Sequence, residues 1–132
     1  MRHQIKGKKL NRNTSQRKAL FKNLLQALFL REEIKTTLPK AKVVKKIADK
    51  LISKSKNKSL SVRRQIMAFL PGKKAARKLM DDISPRFKEK SSGFTKIIRT
   101  NRRKGDNVMM AKIGLIEKKK ITKSQEKNQN KK

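Results

Sequence analysis

Forty lysines and arginines stand against nine acids in this chain of 132 residues, a formal net charge of +31. So large an excess of one sign repels itself in any compact state. A folded form is tolerable only where a polyanion neutralises it, and nucleic acid offers closely spaced phosphates and a counterion cloud to release. An anionic membrane is the rival partner, but it asks for a localised basic patch or an amphipathic helix. Here residues 1–58 carry 18 basic and 3 acidic residues, 59–116 carry 15 and 4, and 117–132 carry 7 and 2. Charge spread over the whole chain points to a surface embedded in RNA or DNA rather than to one docking patch.

The length suits one domain with tails. Hydrophobic residues make up only 34% of the chain, yet they fall into periodic stripes, so a small core is expected rather than general disorder. The absence of cysteine excludes disulfides and thiolate zinc sites. Met1-Arg2-His3-Gln4-Ile5-Lys6 lacks the apolar segment of a signal peptide, and the run Leu24 to Leu30 is too short to span a bilayer. A basic, acid-poor start also suits a transit peptide, but the basic character never ends and no cleavage-like boundary follows. A cytosolic compartment and no membrane association are the expectation.

Residues 1–13 read as a basic arm, with only Ile5 and Leu10 able to anchor it. Asn13 or Thr14 can cap a helix over Ser15 to Leu30, in which Leu20, Phe21, Leu24, Leu25, Leu28 and Phe29 share one half. Glu33 to Thr37 is β-prone. Thr37 can then cap a second helix with Pro39 in its first turn and Val43, Val44, Ile47, Ala48, Leu51 and Ile52 as its stripe. Ser53 to Ser59 reads as a connector. A third helix is expected from Ser61 to Leu70, broken by Pro71-Gly72, and a fourth from Lys73 to Ile83, ended by Ser84-Pro85. Gly93 to Arg99 and Val108 to Ile116 then read as a β-hairpin whose tip is the basic segment Thr100 to Asn107. The organisation is thus an arm at 1–13, one domain at 14–116 and a disordered Lys-rich tail at 117–132.

Catalysis finds little support. His3 lies on the arm with no fixed carboxylate or nucleophile beside it, which suits a phosphate or ribose contact better than general-base work. Glu32-Glu33 and Asp81-Asp82 are adjacent pairs, and helix neighbours diverge by about 100°, so neither forms a facing dyad. Asp82 and Arg86 can pair across one turn. Pro71-Gly72-Lys73-Lys74 lacks the first glycine and the hydroxyl of a phosphate loop. No metal-ligand cluster and no cofactor motif is present.

Binding signals are stronger. The candidate contacts are Arg2, His3, Lys6, Lys8, Lys9, Asn11 and Arg12 on the arm, Arg17, Lys18 and Lys22 on the first helix, and Arg99, Arg102, Arg103 and Lys104 at the hairpin tip. Arginine offers phosphate a bidentate fork and lysine a point charge. Tyrosine and tryptophan are absent and the five phenylalanines fall mostly on core stripes, so no base-stacking platform is evident. Phosphate and shape readout by a folded body with arms remains. A DNA-architectural protein would share the charge, but the chain shows no apolar minor-groove wedge and no dimer seam.

Met1-Arg2-His3, Lys8-Lys9-Leu10-Asn11-Arg12 and Ser15 to Leu20 resemble the start of the bacterial large-subunit ribosomal protein family numbered seventeen. Glu33 to Lys42, Gly93 to Ile97 and Asn101 to Asp106 resemble it further, in the family order over roughly 1–116. Where family members often carry Gly-Gly-Tyr, this chain has Ser92-Gly93-Phe94, and Lys104 is an extra lysine before Gly105-Asp106. The resemblance implies an α+β fold, about four helices on a small three-stranded mixed sheet. It also implies binding to large-subunit rRNA near the peptide-exit side, neighbouring ribosomal proteins as partners, and neither catalysis nor a small-molecule substrate.

Overall fold

The computed structural model describes residues 7–117. Helix α1 spans Thr14–Arg31, strand β1 Glu33–Thr37 and helix α2 Leu38–Ser55. Helices α3, Leu60–Phe69, and α4, Lys73–Lys78, follow. A π-helical turn, Leu79–Ile83, leads into the short α5, Ser84–Arg86, and strands β2, Thr95–Arg102, and β3, Met109–Leu115, close the fold. The class is α+β, as expected.

Helix α1 begins where Asn13 stops being helical: its side chain accepts a hydrogen bond from the Gln16 N–H at 2.9 Å. It ends at Glu32, which turns left-handed at φ 62° and donates its N–H to Leu28. Leu25, Leu28 and Phe29 are fully buried, while Leu20, Phe21 and Leu24 are only half-buried. The expected stripe is therefore narrower, because the first half of α1 extends past the elements that cover its end. Helix α2 follows β1 without a loop. Thr37 holds the cap position but makes no side-chain capping bond, and Pro39 sits in the first turn, where no donor is missed. Ala41, Val44, Ala48, Leu51 and Ile52 form its buried seam; Val43 and Ile47 flank it half-exposed.

Ser59 caps α3 by accepting from the Val62 N–H at 3.3 Å. At the α3–α4 corner a Cβ on Gly72 would come within 2.7 Å of the Gln26 amide, so the side chain of α1 occupies the place a larger residue would need. The fourth helical stretch does not end at Ser84-Pro85 as expected. The Ser84 N–H bonds to the Leu79 carbonyl five residues back, and the chain stays helical to Arg86. The wide turn places Pro85 at the start of a new helical turn, where its missing donor costs little. Phe87, beyond it, packs edge-on to Phe94 at 5.3 Å between ring centres.

The sheet order is β1-β3-β2. Both pairings are antiparallel, which corrects the expected mixed sheet. β1 and β2 run the same way, but β3 lies between them and no parallel pair forms. Ile34, Ile113 and Ile97 make one cross-strand row, and Thr36, Ala111 and Arg99 the next. This face packs on α2. Thr95, fully buried on it, donates its hydroxyl to the Asp49 carboxylate at 2.9 Å. On the opposite, open face Lys35, Lys96, Ile98 and Lys112 are exposed.

Candidate nucleic-acid interface

The acids of the described residues are largely engaged within the fold. The Glu32 carboxylate, 12% exposed, accepts from Lys78 at 3.0 Å and from both terminal nitrogens of Arg86 at 2.8 and 3.0 Å. Arg86 also pairs with Asp82 at 2.9 Å, the one-turn pair the sequence suggested. The hydrogen bond to Glu32 above all holds the Arg86 guanidinium above its usual range. The sequence shows only that Glu32 and Glu33 form no facing dyad; in the fold Glu32 joins the end of α1 to α4 through Lys78 and to α5 through Arg86. Glu33 pairs with Lys112 at 3.0 Å across the sheet, and Asp49 is bonded to Thr95. Outside these bonds and the Arg103–Asp106 pair, Asp81, Glu89 and Glu117 are the exposed acids of the described residues, and exposed lysines and arginines far outnumber them.

Arg2, His3 and Lys6 lie outside the described residues. From Gly7 onward the arm turns through Leu10 and Asn11, both left-handed at φ 54° and 51°. Asparagine accepts this conformation more readily than leucine. Lys8, Lys9, Asn11 and Arg12 are exposed. Arg12 donates to the Leu10 carbonyl at 3.2 Å, and Arg17 to the Arg12 carbonyl at 3.1 Å. These bonds join the arm to the start of α1, where Lys18 is exposed. Each guanidinium keeps further donors for phosphate. Lys22 sits apart: its ammonium lies 5.7 Å from the centre of the Phe69 ring, a cation–π contact within the fold.

The hairpin differs from expectation. Strand β2 continues to Arg102, so Arg99 and Arg102 are exposed strand residues and only Arg103 and Lys104 belong to the tip. The strand persists past Asn101 because a register shift between Arg99 and Arg102 restores pairing with Met109. The tip is closed by the Arg103 N–H on the Val108 carbonyl at 2.9 Å, with Gly105 at φ 103°. There Arg103 grips the Asp106 carboxylate with two nitrogens. That bond draws the Asp106 carboxyl down to about 2 and raises Arg103. The fork of Arg103 is thus already engaged, whereas Arg99, Arg102 and Lys104 are not held in this way.

The structure adds cations that sequence reading passed over. Lys35 stands directly opposite Lys112 on the open sheet face, with Ile98 opposite Lys112 on the other side. Glu33 pairs with Lys112 on this same face, so Lys35 and Lys96 are the exposed cations it offers an anion. The signal was the alternation of lysines along the strands. Lys42, Lys45 and Lys46 on α2 line a groove together with Gly7 and Lys8, so the arm, α2 and β2 come together there. Among the described residues no group of three metal-ligating side chains could hold an ion, and no helix is long and apolar enough to cross a membrane.

Residues 20–117 match the family model for ribosomal protein L17. The chain belongs to the ribosomal protein L17 family. It is 38% identical over 117 residues to the large ribosomal subunit protein bL17 of Anaeromyxobacter dehalogenans (strain 2CP-C), covering 89% of this chain and 72% of that protein. It is 37% identical over 117 residues to bL17 of Anaeromyxobacter sp. (strain K), covering 89% of this chain and 74% of that one. Family membership makes the chain a ribosomal protein. The matched span runs from within α1 to the end of β3, so it takes in the packed core and the hairpin but leaves out the arm.

Proposed function

We propose that this L17-family chain is a structural protein of the large ribosomal subunit in the cytoplasm, without enzymatic activity, cofactor or small-molecule substrate. It binds large-subunit rRNA by neutralising closely packed phosphates and matching their shape. The observation that carries this reading is the division of charge: acids tied up in Glu32–Arg86–Asp82, Glu33–Lys112 and Arg103–Asp106, and cations exposed on the arm, on α1 to α4 and on all three strands. The relatives named as large-subunit proteins support the ribosome over a DNA-architectural role. The arm, the start of α1, the open sheet face and the β2–β3 hairpin are the contact surfaces in this reading. A position near the peptide-exit side, beside other ribosomal proteins, belongs to the same proposal.

Sedimentation of a tagged copy through sucrose gradients tests it. Comigration with large subunits at moderate salt, weakened at high salt, is expected. Association with the nucleoid instead would overturn it.

A further inference from the structure

A groove of about 570 Å³ lies where the arm meets α2 and β2. It falls within the range of about 300–1,000 Å³ that holds small organic groups. Val43 and Ile97, both half-buried, supply its apolar lining. Lys8, Lys42, Lys45 and Lys46 surround them, and their methylene stems extend the apolar surface while their ammonium groups reach solvent. Asp49 is the one acid among the described residues of the lining, fixed by the hydroxyl of Thr95 at 2.9 Å. An ionised carboxylate has acceptor sites to spare beyond that single bond.

We propose that this groove receives one unstacked, amino-bearing base of the RNA, with its flanking phosphates held by the four lysines. The inference rests on the rRNA-binding reading above and adds a base contact to it. Charge complementarity selects the occupant: four cations call for phosphate on both sides of whatever enters. The apolar lining calls for a flat, weakly hydrated group between those phosphates, and a base meets both demands. Asp49 accepts from an exocyclic amino group, the pairing that carboxylates make with cytosine. The aliphatic lining takes the place of the aromatic platform that the chain lacks. Residues 1–6 of this chain, with Arg2 and Lys6, would bring cations to a cationic rim.

The test uses the full chain and large-subunit rRNA. Val43→Ala and Asp49→Asn should each weaken binding about fivefold to tenfold at fixed salt, the lower end for losing one base contact. Neither should flatten the salt dependence, whereas Lys46→Ala should reduce its slope by ~1. The Asp49 change gives the decisive sign. If Asp49 is only a charge near phosphate, its removal tightens binding; if it holds a base, removal weakens it. Asparagine retains the oxygen that Thr95 bonds, and melting temperature reports any loss of fold. A photoreactive side chain placed at Val43 should crosslink to a single unpaired nucleotide in reconstituted subunits. Tighter binding by Asp49→Asn, unchanged binding by both variants, or a crosslink to residues 1–6 or to another protein would overturn the inference and leave rRNA binding standing. A parent chain that does not bind rRNA would overturn both.

Discussion

Glu32 offers the sharpest test of how so cationic a chain holds together. Its carboxylate is 12% exposed and faces Lys78 and the fork of Arg86, itself 15% exposed. Removing one partner of a buried pair costs about 3–5 kcal/mol, because the other charge is left without compensation. Arg86 would keep Asp82 at 2.9 Å, which lowers the expected cost of Glu32→Gln to about 2–4 kcal/mol. The glutamine amide would also present a donor to two cations. Thermal melts in phosphate buffer should show a fall of roughly 4 °C per kcal/mol for a domain of this size. Backbone strain separates from charge in a second pair of variants. Glu32 is left-handed at φ 62°, so Glu32→Gly relieves strain that Glu32→Ala retains, and should be the more stable by about 1 kcal/mol. A Glu32→Gln variant that melts with the parent would refute the reasoning and make the ion pairs incidental.

In the core, Leu28→Ala should cost about 2–5 kcal/mol by urea unfolding, since Leu28 is fully buried. Leu24→Ala and Ile47→Ala should cost clearly less, because both are half-buried; equal losses would contradict the packing described. At the hairpin tip the Asp106 carboxyl is held down to about 2 by Arg103. Its folded value is lowered, so the stabilisation is present above the ordinary carboxylate range and is lost as pH falls toward 2. Carboxyl-carbon NMR should place the Asp106 midpoint near 2, and a midpoint near its usual 3.8 would show the pair open in solution. Arg102→Ala should leave the melting temperature unmoved and lower the salt slope of rRNA binding by ~1; an early melt with unchanged binding would make Arg102 structural.

Helices α1, α2 and α3 were legible because their leucines and valines recur at helical spacing and Asn13 caps α1 as its chemistry suggests; the Ser59 cap of α3 lies at the end of the stretch that reads as a connector. Periodicity says which side of a helix is apolar, but not how much of its length a neighbour covers. For that reason Leu20, Leu24 and Ile47 were read as deeper than they are. The π turn was hidden, since Ser84-Pro85 carries the usual signal of a helix end and only the tertiary setting allows the wider turn. The Glu32–Arg86 pair spans 54 positions and has no local signature. Strand β2 was cut short because Asn101 and the arginines after it look like a turn, and the register shift that extends pairing is a property of two strands together. The candidate contacts on the arm and the start of α1 were read from charge alone. The lysines of the open sheet face needed the register to show that they share one side.

The central claim is that this chain binds rRNA chiefly through its phosphates. Affinity for large-subunit rRNA, measured between 50 and 200 mM salt, tests it most directly. Six to ten phosphate contacts predict a loss of ~10³–10⁵ across that range, with a linear fall of log affinity against log salt. An affinity that barely changes with salt would contradict the account.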